Sequence, residues 1–272
     1  MHKRMIDIVV ISDTHLGTYS SHAEYLLAYL KSIECKTLIL NGDIIDMWNF
    51  SKFKSTHVHV LRHILKMSER GTKIYYITGN HDDALRKYSG TNMGNIILDD
   101  KLILDLNGEL TWIFHGDVFD HSVRGWAKIL GKLGGKGYDI LIWNNRMINQ
   151  ALKFFNKGPV SFSKKIKSSV KNAVKWISDF ELTAAEMAAT HGFSTVICGH
   201  IHMPQSRIIQ TKKGPIKYLN SGDWVENCTS LEYHNGAWSI YKHPMGDTKM
   251  EMGEEAYSPR SIIESILNLS HS

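Results

Sequence analysis

The chain has 272 residues, 43% of them apolar and 22% charged, the balance of a soluble globular protein long enough for a substantial core. No stretch approaches the roughly 20 apolar residues that span a bilayer, and the apolar run ending at Asp13, about six residues, is shorter than the roughly 7–15-residue core of a secretory leader. Cys35, Cys198 and Cys228 show no paired spacing, which argues against a disulfide framework and leads us to expect a cytoplasmic protein whose cysteines carry no chemistry. The formal net charge of +5 hides an asymmetry, because residues 121–180 hold 12 Lys or Arg against only Asp139 and Asp179. The rest of the chain is therefore net negative, and the basic block fits an anionic partner: a nucleic acid, a nucleotide or a membrane surface.

In chain order, the first element is the β-branched run Ile8-Val9-Val10-Ile11, read as a buried strand that stops at Ser12-Asp13-Thr14-His15. Side chains two apart on an extended chain project the same way, so Asp13 and His15 can grip one cation. Tyr25, Leu26, Leu27, Tyr29, Leu30 and Ile33 repeat at helical spacing and predict a helix over 21–34. Thr37–Leu40 then runs into Asn41-Gly42-Asp43-Ile44-Ile45-Asp46. Trp48, Phe50 and Phe53 follow, placed either to close the core or to wall a pocket. A second helix, about 56–69, ends at Gly71; its His57, His59 and His63 have no paired carboxylate and read as surface or structural. Ile74–Ile77 runs into Gly79-Asn80-His81-Asp82. Alternating strands and helices to this point predict an α/β sheet.

From Leu102 the pattern turns antiparallel, with Asn107-Gly108 as a hairpin signal and the second strand ending at His115-Gly116-Asp117. Apolar residues at three- and four-residue intervals through Trp126–Leu133, Ile148–Phe155 and Val170–Ile177 predict a helical insert, broken by glycines. Lys164, Lys167, Lys171 and Lys175 form one stripe on its last helix. Thr195–Cys198 runs into Gly199-His200-Ile201-His202, after which hairpins are expected over 206–219 and over 230–241, the latter turning at Asn235-Gly236. The expected organisation is a core of residues 1–120 and 192–243, an inserted basic and aromatic cap of 121–191, and a polar tail of 244–272 with a short terminal helix.

Five strand ends thus carry carboxylate, amide or imidazole groups, and in an open α/β sheet ligands bind beyond the carboxyl ends of the strands, so scattered residues can converge. Glycines 42, 79 and 199 immediately precede candidate ligands, as expected where a backbone turns sharply off a strand.

These blocks resemble the signature of the calcineurin-like metallophosphoesterases, two-metal hydrolases of phosphate esters. The resemblance implies two facing mixed β-sheets flanked by helices, an α/β sandwich, here with an inserted helical cap. Carried over motif by motif, it implies one metal on Asp13, His15 and His202, a second on Asn80, His115 and His200, and Asp43 bridging both. Mixed imidazole, carboxylate and amide donors without thiolate suit Mn²⁺, Fe²⁺ or Zn²⁺ better than Ca²⁺, and the resemblance implies Mn²⁺ among these. His81 would face the substrate phosphate as a charge stabiliser or proton donor, with Asp82 orienting it. Asp46, Asp117 and Asp223 are placed either to support ligand histidines or simply to be solvated.

With Lys171-Asn172-Ala173-Val174 in a basic insert and Asn220-Ser221-Gly222-Asp223-Trp224 near its end, the chain is similar to the UDP-2,3-diacylglucosamine pyrophosphatases, which act in lipid A synthesis. It departs from their best-known branch in having His81 where those members carry arginine. The resemblance implies a nucleotide-sugar lipid substrate met at an anionic membrane surface, with Arg124, Lys167, Lys171, Asn172 and Lys175 as head-group contacts. A nuclease is the main alternative, although the cap lacks a recognised nucleic-acid motif. A non-catalytic scaffold is the other, set against an intact ligand set.

Overall fold

In a computed structural model of the protein, the structure describes residues 3–48, 53–119 and 164–245, without the side chains of residues 164–174. Phe50, Arg124, the helical repeats expected at 126–155 and the terminal helix lie outside the described residues.

Twelve strands form two sheets among the described residues. The first has seven strands: β1 (Arg4–Ile11), β2 (Ile33–Asn41), β3 (Lys73–Ile77), β4 (Thr91–Met93), β5 (Ile96–Asp99), β11 (Thr229–His234) and β12 (Ala237–Lys242), in the order β12-β11-β1-β2-β3-β5-β4. The second has five: β6 (Lys101–Leu106), β7 (Glu109–Phe114), β8 (Thr195–Cys198), β9 (Gln205–Thr211) and β10 (Gly214–Asn220), in the order β6-β7-β8-β10-β9. In the first sheet β1, β2 and β3 are parallel, and in the second β7, β8 and β10 are, so several carboxyl ends open toward one edge of the sandwich.

The apolar runs are continuous because these strands are covered on both faces. Ile8 and Val10 of β1 join Ile39, Ile77, Ile113, Ile197, Leu219 and Leu231 in the layer between the sheets. Val9 and Ile11 point the other way, onto α1 (Ala23–Ser32) and α2 (Ser55–Glu69), with Leu26, Leu30, Val60 and Ile64. Each such buried aliphatic side chain contributes roughly 1.5–3 kcal/mol. Cys35, Cys198 and Cys228 are buried free thiols, and burial pushes Cys35 up to about 12, consistent with small apolar fillers.

The expected turns are present. Asn107-Gly108 and Asn235-Gly236 both take positive φ at the tips of the β6–β7 and β11–β12 hairpins. Around Lys212-Lys213 the strands run longer than expected, with Gly214 and Pro215 already paired to Thr211 and Gln210. The short β4–β5 hairpin was not signalled by the sequence.

The last helix, α3 (Lys164–Thr190), runs almost to residue 191, the expected end of the insert. Phe180, Ala184, Ala185 and Ala188 pack onto the outer face of the five-stranded sheet with Val196, Cys198, Ile216 and Tyr218. Small alanines let the helix approach the strands closely, and Arg207 of β9 pairs with the buried Glu181 carboxylate. The C-terminal half of α3 is thus a layer of the core.

His57 proves structural: its Nδ1 accepts the Gly17 N–H at 3.0 Å and so ties α2 to the loop leaving β1. Burial, reinforced by Lys54, lowers it to about 4. The folded chain therefore favours neutral His57, whose contribution to stability is present above about pH 6.5 and is lost as pH falls toward 4. Denaturant titrations across that window are expected to give a shallower decline for His57→Gln than for the parent chain.

On the same helix-covered face of the sheet, Glu232 accepts both Arg4 Nη atoms at 2.9 Å and the Tyr29 hydroxyl at 2.9 Å. Glu232→Ala removes the acceptor for all three donors, and urea unfolding is expected to show a loss of about 2–3 kcal/mol.

Candidate metal centre

Asp13 and His15 leave β1, Asp43 leaves β2 and Asn80 leaves β3, all in the seven-stranded sheet; His115 leaves β7, and His200 and His202 leave β8, in the five-stranded one. The turns that deliver them are strained. Asp13, His15, Asp43, His200 and His202 hold φ between 44° and 66°, a left-handed conformation that costs a non-glycine residue roughly 1–2 kcal/mol. Strain of this kind persists only where surrounding contacts enforce it. Here Asp13 N–H donates to Gly42 O at 3.0 Å, His15 N–H to Asp43 O at 3.0 Å and Gly199 N–H to His115 O at 2.9 Å, lacing the strand ends together.

Two groups result. In the first, His15 Nε2 and His202 Nε2 stand 3.3 Å apart, with His202 Nε2 3.2 Å from Asp13 Oδ1. In the second, His115 Nε2 lies 3.3 Å from Asp43 Oδ2, and His200 completes the cluster. Asp43 Oδ2 is also 3.9 Å from His15 Nε2, so one oxygen faces both groups, while Oδ1 accepts the His81 N–H at 2.8 Å. Within each of the groups Asp13/His15/His202 and Asp43/His115/His200, the ligand atoms lie within 4.8 Å of one another.

Asp13, His15, Asp43 and His115 are buried, and their ionisation follows from one another. Burial opposes charge on Asp43, but His115, then His15 and His81, hold it well below the usual carboxylate range. Burial likewise opposes a proton on His115, yet Asp43 and Asp13 push it well above an ordinary imidazole. His202, against Asp13, is pushed up to about 9 despite its burial, whereas burial lowers His15 to about 4. The buried carboxylates thus raise the proton affinity of His115 and His202 but not that of His15.

The donor set fits divalent metal ions. His115 Nδ1 faces the Asn41 carbonyl oxygen at 2.9 Å, which turns Nε2 inward, and that nitrogen has no hydrogen-bond partner. Asn80 Oδ1 is a second buried atom without one. Buried polar atoms of this kind are costly unless something pairs with them, and carboxylate, amide and imidazole donors without thiolate suit first-row divalent ions.

Around this centre the structure revises several expected roles. His81 turns Nδ1 toward Asp46 Oδ2 at 3.3 Å, and burial, which would lower it, is outweighed by Asp46 and Asp43, so its proton affinity is raised. Asp82, expected to orient His81, does not: its oxygens accept Gly79 N–H, Ile44 N–H and the Tyr76 hydroxyl, and it shapes the loop instead. Asp46 takes the orienting position, and its other oxygen accepts the Trp48 N–H at 3.0 Å. Trp48 is 64% exposed, with its ring 4.4 Å from that of His81, so it lies at the mouth of the site, whereas Phe53 packs against the core.

Asp117 accepts Arg86 at 3.0 Å. Arg86, which carries no sequence signal of its own, thereby joins the loop after β7 to the loop after β3. Asp223 accepts the N–H groups of Val225, Glu226 and Asn227 and fixes a turn; Asn227 in turn donates to the His202 carbonyl at 2.8 Å. Lys175 is exposed on α3, one residue before Trp176, whose ring lies 6.5 Å from that of His200. The side chains of Lys167, Lys171 and Asn172 lie outside the described residues.

A sandwich whose strand ends gather buried Asp, His and Asn donors for divalent ions defines a metal-dependent hydrolase. The chain belongs to the calcineurin-like phosphoesterase family, which matches residues 6–204. It is 25% identical to the UDP-2,3-diacylglucosamine hydrolase of Aliivibrio fischeri over 243 residues, 86% of this chain and 98% of that protein. It is also 25% identical to the protein of the same name from Blochmanniella pennsylvanica, over 84% of this chain and 92% of that one. Among solved structures, an archaeal phosphodiesterase aligns over 86% of this chain and 98% of its own, with 13% identity and a TM-score of 0.38.

Gly79 offers a direct test of the crowding at this centre. A Cβ there would overlap Asp43 Oδ1 and stand 2.6 Å from Asp43 N and 2.9 Å from His115 Cδ2. Gly79→Ala is expected to weaken Mn²⁺ binding at least tenfold by calorimetry and to lower stability by about 1–3 kcal/mol.

Proposed function

We propose that the chain hydrolyses the diphosphate of UDP-2,3-diacylglucosamine to UMP and 2,3-diacylglucosamine 1-phosphate, a step of lipid A synthesis. The observation that carries the chemistry is the single Asp43 oxygen facing two clusters of imidazole and carboxylate donors. The named relatives match almost end to end, which supports the particular substrate.

In this reading Asp13, His15 and His202 hold one metal, Asn80, His115 and His200 hold the other, and Asp43 holds both. When bound, such ions neutralise phosphoryl charge and make water acidic enough to attack at neutral pH, with Mn²⁺ the favoured metal. The chain's own residues do the rest. Asp46 keeps a proton on His81 Nδ1, which leaves Nε2 to donate its proton to the departing phosphate oxygen. Trp48 covers one face of that imidazole, and the His15 ring meets it edge-on at 4.6 Å, so packing adds to the Asp46 contact in holding the ring.

Tyr19, Trp48, Val118 and Met203 are exposed, and each lies within four residues of a candidate ligand or of Asp46. Exposed apolar groups this near the candidate ligands in sequence suit a diphosphate that carries acyl chains. Arg124, Lys167, Lys171, Asn172 and Lys175 are assigned to the head group, and the basic insert to an anionic membrane surface on the cytoplasmic side. No helix among the described residues is long and apolar enough to cross a membrane, so that contact would be peripheral.

Mn²⁺-dependent release of UMP from UDP-2,3-diacylglucosamine in detergent tests the proposal. Asp43→Asn is expected to abolish turnover. His81→Ala is expected to lower kcat about 10²–10⁴-fold with little change in KM, and Asp46→Asn to lower it less. Lys171→Ala/Lys175→Ala should mainly raise KM. Equal cleavage of the deacylated UDP-sugar would remove the lipid from the reading, and activity on nucleic acid alone would replace it with a nuclease.

A further inference from the structure

Helix α3 reaches one of the two donor clusters directly. Phe180, 1% exposed, sets its ring 6.2 Å from that of His200 at an interplanar angle of 33°, and Trp176, one turn earlier, meets the same imidazole at 6.5 Å and 62°. The two aromatics also touch each other, and Phe119 meets Phe180 edge-on at 5.7 Å. Phe180 also lies close to the turn after His115. Gly116, the residue after His115, has φ +122°, and a Cβ there would fall 2.7 Å from Phe180 Cζ and 3.4 Å from His200 Cβ. The His115 and His200 rings themselves stand 5.1 Å apart. One phenyl ring therefore backs the His200 imidazole and also lies against Gly116, the residue that follows His115.

Among the described residues, the Asp13/His15/His202 cluster has no such neighbour on α3. Its rings pack against one another and against His81, and its loop is held by backbone bonds and by Asn227. The two halves of the centre are thus supported differently, one by hydrogen-bonded turns and the other by a helix that continues to Lys164 in the insert.

We propose that Phe180 and Trp176 are positioning residues for the metal held by Asn80, His115 and His200, so that α3 sets the affinity of this one divalent cation and not of the other. The inference rests on the two-metal reading above. Groups that orient metal ligands from behind commonly change affinity 10–100-fold when removed. Here the orienting force is packing, because a rigid aromatic face limits rotation of the His200 ring where a smaller side chain would leave it free to turn away.

Mn²⁺ titration followed by electron paramagnetic resonance, with circular dichroism as a folding control, tests this. The parent chain should bind two ions. Phe180→Ala should weaken one site about tenfold or more and leave the other within twofold. Phe180→Leu, which keeps most of the volume but loses the flat face, should weaken the same site by a smaller factor and serves if the alanine variant does not fold. In a His202→Ala background, which removes the first cluster, Phe180→Leu should still weaken the remaining site. In a His200→Ala background it should have no effect.

Equal weakening of both sites, or of neither, in otherwise folded variants overturns the role given to Phe180 while leaving the two-metal reading intact. A parent chain that binds no metal, or only one, overturns both.

Discussion

Two carboxylates, Asp13 and Asp43, are almost wholly removed from solvent at the open end of a sandwich, and most of the local structure follows from having to keep them charged there. A buried carboxylate without partners would take up a proton. Here each is met by backbone N–H groups and by imidazoles: Asp13 by the His200 N–H and the His202 ring, Asp43 by the His81 N–H and the His115 ring. To bring so many donors so close, the chain accepts left-handed turns at five positions that are not glycine. It also uses true glycines where a Cβ would collide, as at Gly42 behind the His115 ring and Gly199 against Asp13 and Ser12.

The sandwich makes this arrangement tolerable because the strands that feed it are fixed from both sides. Ile8, Val10 and Ile39 are clamped between the sheets, while Val9, Ile11 and Leu38 are clamped beneath α1 and α2. A strand held on both faces cannot slide or rotate to relieve strain at its end, so the cost of the turns is carried by burial elsewhere. At the junction, Asn41 works across the gap: its side-chain amide donates to the Phe114 carbonyl, and its own carbonyl faces His115 Nδ1.

The sequence shows the strand ends and their polar groups plainly because both signals are local: an apolar run that stops, and residue types able to bind a cation. Asn107-Gly108 and Asn235-Gly236 were legible as turns for the same reason. Partner choice was not. Asp82 is next to His81 in sequence and Asp46 is far from it, yet the tight turn after β3 points Asp82 into its own loop and leaves Asp46 facing the imidazole. Arg86 and Trp48 were obscure because their roles depend on loops from different strands meeting. The C-terminal half of α3 looked like insert because helical periodicity shows that a face is apolar, not which surface it will cover.

Neither donor cluster belongs to a single sheet. Asp13 and His15 come from one layer and His202 from the other; Asp43 and Asn80 from one, His115 and His200 from the other. An ion in either position would consequently be a rivet through the laminate, gripped by both layers at once. Binding there would then also favour the folded arrangement of the two layers, because the donors come together only in the folded chain.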